Sequence, residues 1–278
     1  MVLVGCSSTS SVPEDDKLFT GLRKTGYENY EPCDHFYSTP EEVEAALATT
    51  PNGALFGSPY YRMPSYRLWI YNAFEHSRGG IGKWMRTTFG KAPVLLSSVN
   101  PQLHAQVVRE LLRSRGYFGG YVNYDVLTSD SSRTAKVKYN VNFGDLYTVD
   151  TLTYHNFPEE ANELIEKKAS ESLVKAGDPF DVSVLEAERT RISTLLRNNG
   201  FFYYQPSYAT YLADTIAEPG EVQVRLHYAD SLPAAVGRKW YVGRINLEMR
   251  KQSVLEQLKD TIRRRNYTIV YNGKREPM

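Results

Sequence analysis

One short motif occurs twice in this chain and constrains its fold more than any other feature. The segment Leu111–Phe118 (LLRSRGYF) returns as Leu195–Phe202 (LLRNNGFF). Recurrence of a motif at a distance of this kind is typical of repeated structural modules. With 278 residues, the chain is long enough for two or three small domains. We therefore expect at least two equivalent modules.

Each copy of the motif has the pattern of a helix end. Apolar residues recur at helical spacing upstream of both glycines, at Val107, Val108, Leu111 and Leu112 in the first copy and at Leu185, Ile192, Leu195 and Leu196 in the second. Gly116 and Gly200 follow directly, where a glycine in the left-handed conformation commonly ends a helix. The sequence therefore predicts two amphipathic helices that stop at these glycines.

Strand patterns follow and precede the two helices. Alternating or β-branched segments predict strands at 121–126 and 135–141 after the first copy, at 201–211 and 221–226 after the second, and at 147–154 ahead of a further helix at 158–175. The predicted order of one module is thus strand, helix, helix, strand, strand. A third module begins at 240–245, which aligns with 147–152; we expect a helix at 252–265 and a strand at 267–271, without a second helix.

A helix ending in Leu-Leu-Arg-x-x-Gly-(Tyr/Phe)-Phe before a hairpin, after a strand that begins Tyr-x-Val-x-x-Leu, resembles the polypeptide-transport-associated (POTRA) domain. Tandem POTRA domains form the periplasmic arm of outer-membrane barrel proteins of the BamA and TamA kind. The resemblance implies an α+β fold in which each module is a three-stranded mixed sheet with two helices on one face. It implies domains at 15–144, 145–230 and 238–278, the last truncated, with a long insertion at about 50–98 of the first.

The amino terminus resembles a bacterial lipobox. Leu3-Val4-Gly5-Cys6 is followed by five hydroxylated residues, a pattern that implies a lipid anchor on Cys6 and a flexible tether to residue 14. The two features together resemble most closely a TamA-like lipoprotein of Bacteroidetes. They imply a lipid-anchored protein on the periplasmic side of the outer membrane of a Gram-negative bacterium.

Composition and missing motifs exclude several functions. With 33 Lys and Arg against 32 Asp and Glu, the formal net charge is +1, so no charge excess favours nucleic acid. The sequence contains no Gly-x-Ser-x-Gly, His-Glu-x-x-His, Cys-x-x-Cys or dinucleotide-binding motif. We expect no enzyme, no cofactor and no metal site.

The insertion contains a basic and aromatic segment. Between residues 60 and 91, six Lys or Arg stand against one acid, Glu75, and are interleaved with aromatic residues. The candidate surface consists of Arg67, Trp69, Lys83, Trp84 and Arg86. These residues either meet lipid headgroups, a partner protein or the neighbouring barrel, or the aromatic rings pack the insertion onto its own module while the charges face water.

The resemblance also implies where a partner would bind. In POTRA domains the second strand lies at a sheet edge, so we expect unfolded outer-membrane polypeptides or periplasmic assembly subunits to pair there by β-augmentation. The candidate edge residues are Tyr121, Asn123, Asp125, Phe202 and Tyr204. Two alternatives stay open: a purely structural spacer between an outer-membrane barrel and an inner-membrane-linked partner, and a surface-exposed lipoprotein binding module. The barrel that the family implies lies outside this sequence.

Overall fold

The computed structural model describes residues 8–30, 38–129, 131–249 and 260–271. The strands are β1 (Leu18–Leu22), β2 (Gly26–Glu28), β3 (Tyr121–Ser129), β4 (Thr134–Asn142), β5 (Thr148–His155), β6 (Ala209–Asp214), β7 (Glu221–Tyr228), β8 (Ile245–Met249), β9 (Asp260–Arg263) and β10 (Tyr267–Tyr271). The helices are α1 (Ser38–Leu47), α2 (Tyr66–Ala73), α3 (Gly80–Thr88), α4 (Leu96–Val99), α5 (Pro101–Ser114), α6 (Glu159–Lys167) and α7 (Val182–Asn198).

The chain divides into two compact units. Unit 1 contains Met1–Thr153, Leu173–Glu186 and Tyr211–Arg225, and unit 2 contains Tyr154–Ser172, Ala187–Thr210 and Leu226–Met278. Each unit has its own buried apolar side chains. In unit 1 they form one cluster around Val108, Leu112 and Tyr139 and a second around Val149 and Val222. Burying one such Leu, Val or aromatic side chain stabilises the fold by about 1.5–3 kcal/mol.

The first sheet is mixed and has the third strand of its module in the centre. Strands β1 and β2 pair in parallel with successive parts of β4, and β3 pairs with the other side of β4 in the antiparallel sense. The register of β1 on β4 shifts between Phe19 and Leu22. Gly21 lies at this shift with φ +112°, and a Cβ there would come within 2.6 Å of the Pro59 carbonyl oxygen. The close backbone approach at Gly21 thus coincides with an irregularity within β1, and residues 23–25 separate β1 from β2.

The two other sheets repeat the strand order of the first. Their orders are β5-β7-β6 and β8-β10-β9, so the third strand of each module again lies between the first and the second. In the last sheet β10 pairs with β8 in parallel and with β9 in the antiparallel sense. With helices α1 and α5 in the first module and α6 and α7 in the second, the fold is α+β and built from repeated modules.

The repeated motif adopts the same helix end in both copies. Gly116 has φ +89° and Gly200 has φ +101°. The glycine N–H donates to the arginine carbonyl three residues earlier at 3.2 Å in both copies. The next N–H, of Tyr117 or Phe201, donates to the carbonyl five residues earlier, at 2.9 and 3.0 Å. This pair of bonds is the Schellman motif, which satisfies carbonyls that a helix end leaves unpaired.

Both glycines also form a hydrogen bond with the chain segment that precedes the first strand of the next module. The Gly116 carbonyl accepts a hydrogen bond from the Tyr147 N–H at 3.0 Å, within unit 1. The Gly200 carbonyl accepts one from the Trp240 N–H at 2.7 Å, within unit 2. The predicted alignment of Trp240 with Tyr147 therefore corresponds to equivalent contacts, which supports the duplicated building block.

Several predicted elements have other boundaries. The strand predicted at 240–245 begins only at Ile245. The Trp240 N–H donates to the Gly200 carbonyl, and residues 241–244 connect Trp240 to β8. The strand predicted at 201–211 begins at Ala209, and the helix predicted at 158–175 ends at Lys167. The helix predicted at 252–265 is wrong for Asp260–Arg263, which is strand β9; its part from 252 to 259 lies outside the described residues.

Candidate docking edge

One edge of the first sheet is covered by the insertion. The Phe19 N–H donates to the Val94 carbonyl and the Leu22 N–H donates to the Pro59 carbonyl, both at 2.8 Å. The Leu96 N–H donates to the Lys17 carbonyl at 2.9 Å beside them. Unpaired backbone groups on an edge strand invite pairing with another chain, and these bonds satisfy them on β1. The insertion therefore closes the β1 part of this edge.

The opposite edge, strand β3, is open. All nine of its residues pair with β4, and no other strand within the described ranges pairs with it. Its sequence, YVNYDVLTS, contains neither Lys nor Pro, the residues that commonly protect an edge strand from further pairing. All of its residues except Val122 are exposed. Strand β3 thus offers a long, unprotected row of backbone donors and acceptors.

The side of β3 that faces the module core stays partly uncovered. The register places Val122, Tyr124 and Val126 opposite residues of β4 that are fully buried, namely Val141, Tyr139 and Val137. Yet Tyr124 is 38% and Val126 is 37% exposed. Because the helix layer does not bury these two side chains, an added strand beside β3 would cover them with its own alternate residues. The edge therefore fits an extended segment with alternating apolar side chains.

The first three candidate edge residues lie on the other face of β3. Tyr121, Asn123 and Asp125 alternate with the core-facing residues and are exposed. An Asp125 carboxylate oxygen accepts a hydrogen bond from the Asn140 side-chain amide at 3.3 Å. The sequence predicts this strand, and Tyr124 and Val126, which alternate with Asn123 and Asp125, lie on its core-facing side.

The two other candidate edge residues, Phe202 and Tyr204, do not lie on a strand. They occupy the turn that follows Gly200, ahead of β6. Phe202 is exposed, whereas Tyr204 is only 1% exposed and packs against Tyr228 with stacked rings, 6.2 Å between centroids. The Tyr204 N–H donates to the Phe201 carbonyl at 3.0 Å, as the Gly120 N–H does to that of Tyr117. The prediction of a strand edge at these residues was wrong, because the helix-ending turn extends through Tyr204.

A charged cluster lies beside the first helix end, within unit 1. The Arg115 guanidinium donates to Glu42 Oε1 on α1 and to Asp181 Oδ2 just before α7, each at 2.6 Å. Burial by itself raises the pKa of Asp181, but hydrogen bonds from Ser183 and from the Arg115 guanidinium outweigh it and hold that pKa below its ordinary value. The carboxylate therefore stays ionised and stabilises the fold above its unfolded pKa, and this stabilisation is lost as pH falls through the folded pKa.

The candidate basic and aromatic residues lie on α2 and α3 of the insertion. Trp69 and Trp84 are each 56% exposed, and Arg67 and Lys83 are also exposed. Arg86 is less accessible, because its Nη1 donates to the Glu75 carbonyl at 2.7 Å. The proposed packing of the aromatic rings onto the module applies to Tyr60, which contacts the main core of unit 1. It does not apply to the two tryptophans.

The candidate lipid anchor, Cys6, lies outside the described residues. None of the helices in the described ranges is long and apolar enough to cross a membrane. Within the same ranges, no group of three or more His, Cys, Asp and Glu side chains is placed to hold a metal ion.

The solved structures to which this chain is similar include POTRA domains of BamA and Omp85. POTRA domains 3–5 of Haemophilus influenzae BamA are 12% identical over 89% of this chain and 76% of theirs, with a TM-score of 0.40. POTRA domains 1–3 of Omp85 from Anabaena are 8% identical over 95% of this chain and 74% of theirs, with a TM-score of 0.34.

Haemophilus ducreyi BamA lacking POTRA domains 1–3 is 14% identical over 57% of this chain and 26% of its own, with a TM-score of 0.33. No protein-family model and no curated protein matches the chain. All three TM-scores lie below 0.5.

Proposed function

We propose that this chain is a periplasmic arm of an outer-membrane protein assembly and translocation machine, which binds extended polypeptides at the edge of β3. The single observation that supports this role most is the contrast between the two edges of the first sheet. Backbone bonds from the insertion close β1, whereas β3 stays open along nine residues. The proposal assigns the chain no catalytic activity and no cofactor.

The proposed ligands are unfolded outer-membrane polypeptides or subunits of a periplasmic assembly. An outer-membrane chain in transit has alternating apolar residues, because its strands are to face lipid on one side only. Such a segment matches the uncovered Tyr124 and Val126 on β3. With a lipid on Cys6, the arm would be held on the periplasmic side of the outer membrane, as in a TamA-like lipoprotein.

The expected affinity of one edge is low. Pairing over four or five residues adds about four hydrogen bonds at about 1 kcal/mol each, which corresponds to a Kd of about 1 mM. Such a complex exchanges quickly and accepts many sequences. The second strands of the other two modules, β6 and β9, also lie at the ends of their sheets. Several such edges on one client would raise the overall affinity through effective concentration.

Proline substitution tests this edge. Successive residues of an antiparallel strand direct their N–H groups alternately to the paired strand and away from it. Of the two variants Asn123→Pro and Tyr124→Pro, one therefore removes an N–H that points away from β4 and keeps the hydrogen bonds to β4. The variant that keeps these bonds is the one whose circular dichroism spectrum stays that of the folded parent chain. We expect this folded variant to lose most photo-cross-linking between a probe at Tyr121 and an unfolded outer-membrane polypeptide.

A matched proline outside the edge provides the control. Thr215→Pro changes a half-buried residue in the loop between β6 and β7 and should leave cross-linking at β3 unchanged. If the folded β3 variant cross-links as strongly as the parent chain, β3 is not the docking edge. If the parent chain shows no cross-link and no chemical-shift change with unfolded polypeptide, the arm is instead a structural spacer.

A further inference from the structure

The helical hairpin of the insertion presents apolar side chains to solvent in a basic surrounding. Helices α2 and α3 contact each other, and no residue of α3 is buried. Exposed large apolar residues of the hairpin and its flanks are Tyr61, Met63, Tyr66, Trp69, Ile81, Trp84 and Phe89. Several large apolar side chains left exposed on one helical hairpin favour an interaction surface in a folded protein. We call the set Tyr66, Arg67, Trp69, Ile81, Lys83 and Trp84 the hairpin face.

The hairpin is fixed in a way that leaves the hairpin face outward. Leu68 and Asn72, one helical turn apart on α2, are buried, and Leu68 packs in a cluster with Val12 and Leu18. On α2, Trp69 is exposed beside these buried positions. On α3, Ile81 and Trp84 are three residues apart and share one helical side. The exposure of Trp69 therefore accompanies the attachment of α2 through Leu68 and Asn72, and Ile81 and Trp84 are exposed on a helix that has no buried residue.

Phe89, at the end of α3, joins the two helices. Its ring meets the Trp84 ring edge-on at 5.5 Å between centroids, and its carbonyl accepts a hydrogen bond from Arg67 Nε at 3.4 Å. The Arg67 carbonyl in turn accepts one from the Lys91 N–H at 3.0 Å. These contacts place the basic start of α2 beside the aromatic end of α3.

We propose that the hairpin face docks in the headgroup layer of an anionic lipid bilayer. Tryptophan and tyrosine favour this layer, because their rings combine an apolar body with a polar tip. Lys and Arg are attracted to anionic headgroups, and segment 60–91 has six of them against one acid. A surface helix with an apolar side and basic residues around it binds bilayers through apolar burial and through electrostatic attraction to anionic lipids.

The attachment of the amino-terminal segment adds an independent reason to choose lipid. Ser11 Oγ lies 2.5 Å from Asn72 Oδ1 on α2, and Val12 is buried against Leu68. Five residues span at most about 17 Å, so a lipid on Cys6 would leave the chain near α2 whatever path the segment takes. This reason rests on the proposed lipidation of Cys6. The exposure and the charge of the hairpin face are independent of that lipidation.

Vesicle binding by the unlipidated full chain, carrying Cys6→Ser, tests the proposal. We expect it to float with vesicles of phosphatidylcholine containing about one-third phosphatidylglycerol, less with phosphatidylcholine alone, and less at high salt. Arg67→Gln with Lys83→Gln should lower the partition coefficient about 30-fold, at about 1 kcal/mol per charge. The matched control, Lys167→Gln with Lys175→Gln, removes the same charge from exposed residues elsewhere and should bind as the parent does.

Fluorescence locates the contact. The chain has three tryptophans, so Trp240→Phe leaves only Trp69 and Trp84 to report. Brominated lipid should quench the fluorescence of this variant, and should not quench that of Trp69→Phe with Trp84→Phe, which reports Trp240. Failure of the parent chain to bind anionic vesicles would overturn the proposal and favour a protein partner for the hairpin face. Binding that survives the Arg67 and Lys83 change, or quenching of Trp240 alone, would also overturn it.

The folded proline variant of β3 separates this proposal from the docking function. It should bind vesicles as the parent chain does, because β3 contributes no residue to the hairpin face. Loss of polypeptide cross-linking with full vesicle binding is therefore the expected combination. If the β3 variant stays folded yet loses vesicle binding, the hairpin face is not the lipid contact.

Discussion

Replacing Arg191 with Ala is expected to lower the free energy of unfolding by about 3–5 kcal/mol, the usual cost of removing one partner of a buried ion pair. Arg191 on α7 holds Glu188, whose side chain is fully buried, through two hydrogen bonds of 2.8 and 2.7 Å. The Tyr154 hydroxyl donates to the same carboxylate at 2.9 Å, and burial together with the Glu188 charge raises the pKa of Tyr154 to about 12. Without Arg191 the buried carboxylate loses this cation, while its hydrogen bond from the Tyr154 hydroxyl of β5 remains.

Urea unfolding followed by Trp240 fluorescence measures this cost, in a chain with Trp69 and Trp84 replaced by Phe. Lys167→Ala is the matched control, because its 3.6 Å pair with Glu163 is exposed on both sides and should contribute less than about 1 kcal/mol. Replacing both charges, with Glu188→Gln and Arg191→Met, should cost less than Arg191→Ala alone. An Arg191→Ala variant no less stable than Lys167→Ala would refute the role of this pair.

Replacing Gly116 with Ala should cost about 1–2 kcal/mol for the left-handed backbone conformation, and more because of a steric contact. At Gly116 the added Cβ would lie 2.8 Å from the Phe180 carbonyl oxygen, which is backbone and has to shift. At Gly200 the nearest atom, the Trp240 carbonyl oxygen, lies at 3.3 Å. We therefore expect both Ala variants to be destabilised, Gly116→Ala more strongly than Gly200→Ala.

Gly177→Ala isolates the conformational part of this effect. Gly177 has φ +84°, close to that of Gly116, and an added Cβ there would meet nothing within 4 Å. The difference between Gly116→Ala and Gly177→Ala, measured by urea unfolding, is thus the cost of the contacts with Phe180, Leu146 and Tyr147. Equal losses in these two variants would mean that the packing around the repeated glycine contributes nothing beyond its backbone angle.

The repeated motif made much of the fold predictable, because its determinants are local. A glycine after an amphipathic helix ends that helix by its own backbone preference, and alternating residues form strands where a hairpin turn is close. The helices that end at Gly116 and Gly200, and strands β3, β4, β5 and β7, accordingly lie where the sequence predicts them. In α5, Val108 and Leu112 are buried as expected, but Val107 is 49% exposed, because the stripe that faces the core is narrower than the predicted one.

Other features depend on contacts between distant residues and had no local signal. The closed edge of β1 requires backbone groups of Pro59 and Val94, far along the chain, to reach Phe19 and Leu22. Tyr204 is buried against Tyr228, which lies in a later strand. The aromatic segment 201–204, predicted to be a strand edge, is therefore part of a turn. The open edge at β3 was predicted only through the resemblance to POTRA domains, since sequence alternation alone does not say which strand of a sheet is outermost.

Amide hydrogen exchange along β3 of the full chain tests the docking function most directly. It is measured with and without an extended peptide of alternating apolar residues, at about millimolar concentration to match the expected affinity. If the peptide adds to the sheet, every second amide of Tyr121–Ser129 gains protection, while the amides already bonded to β4 change little. Protection of none of these amides, or of amides elsewhere with β3 unchanged, would contradict the account.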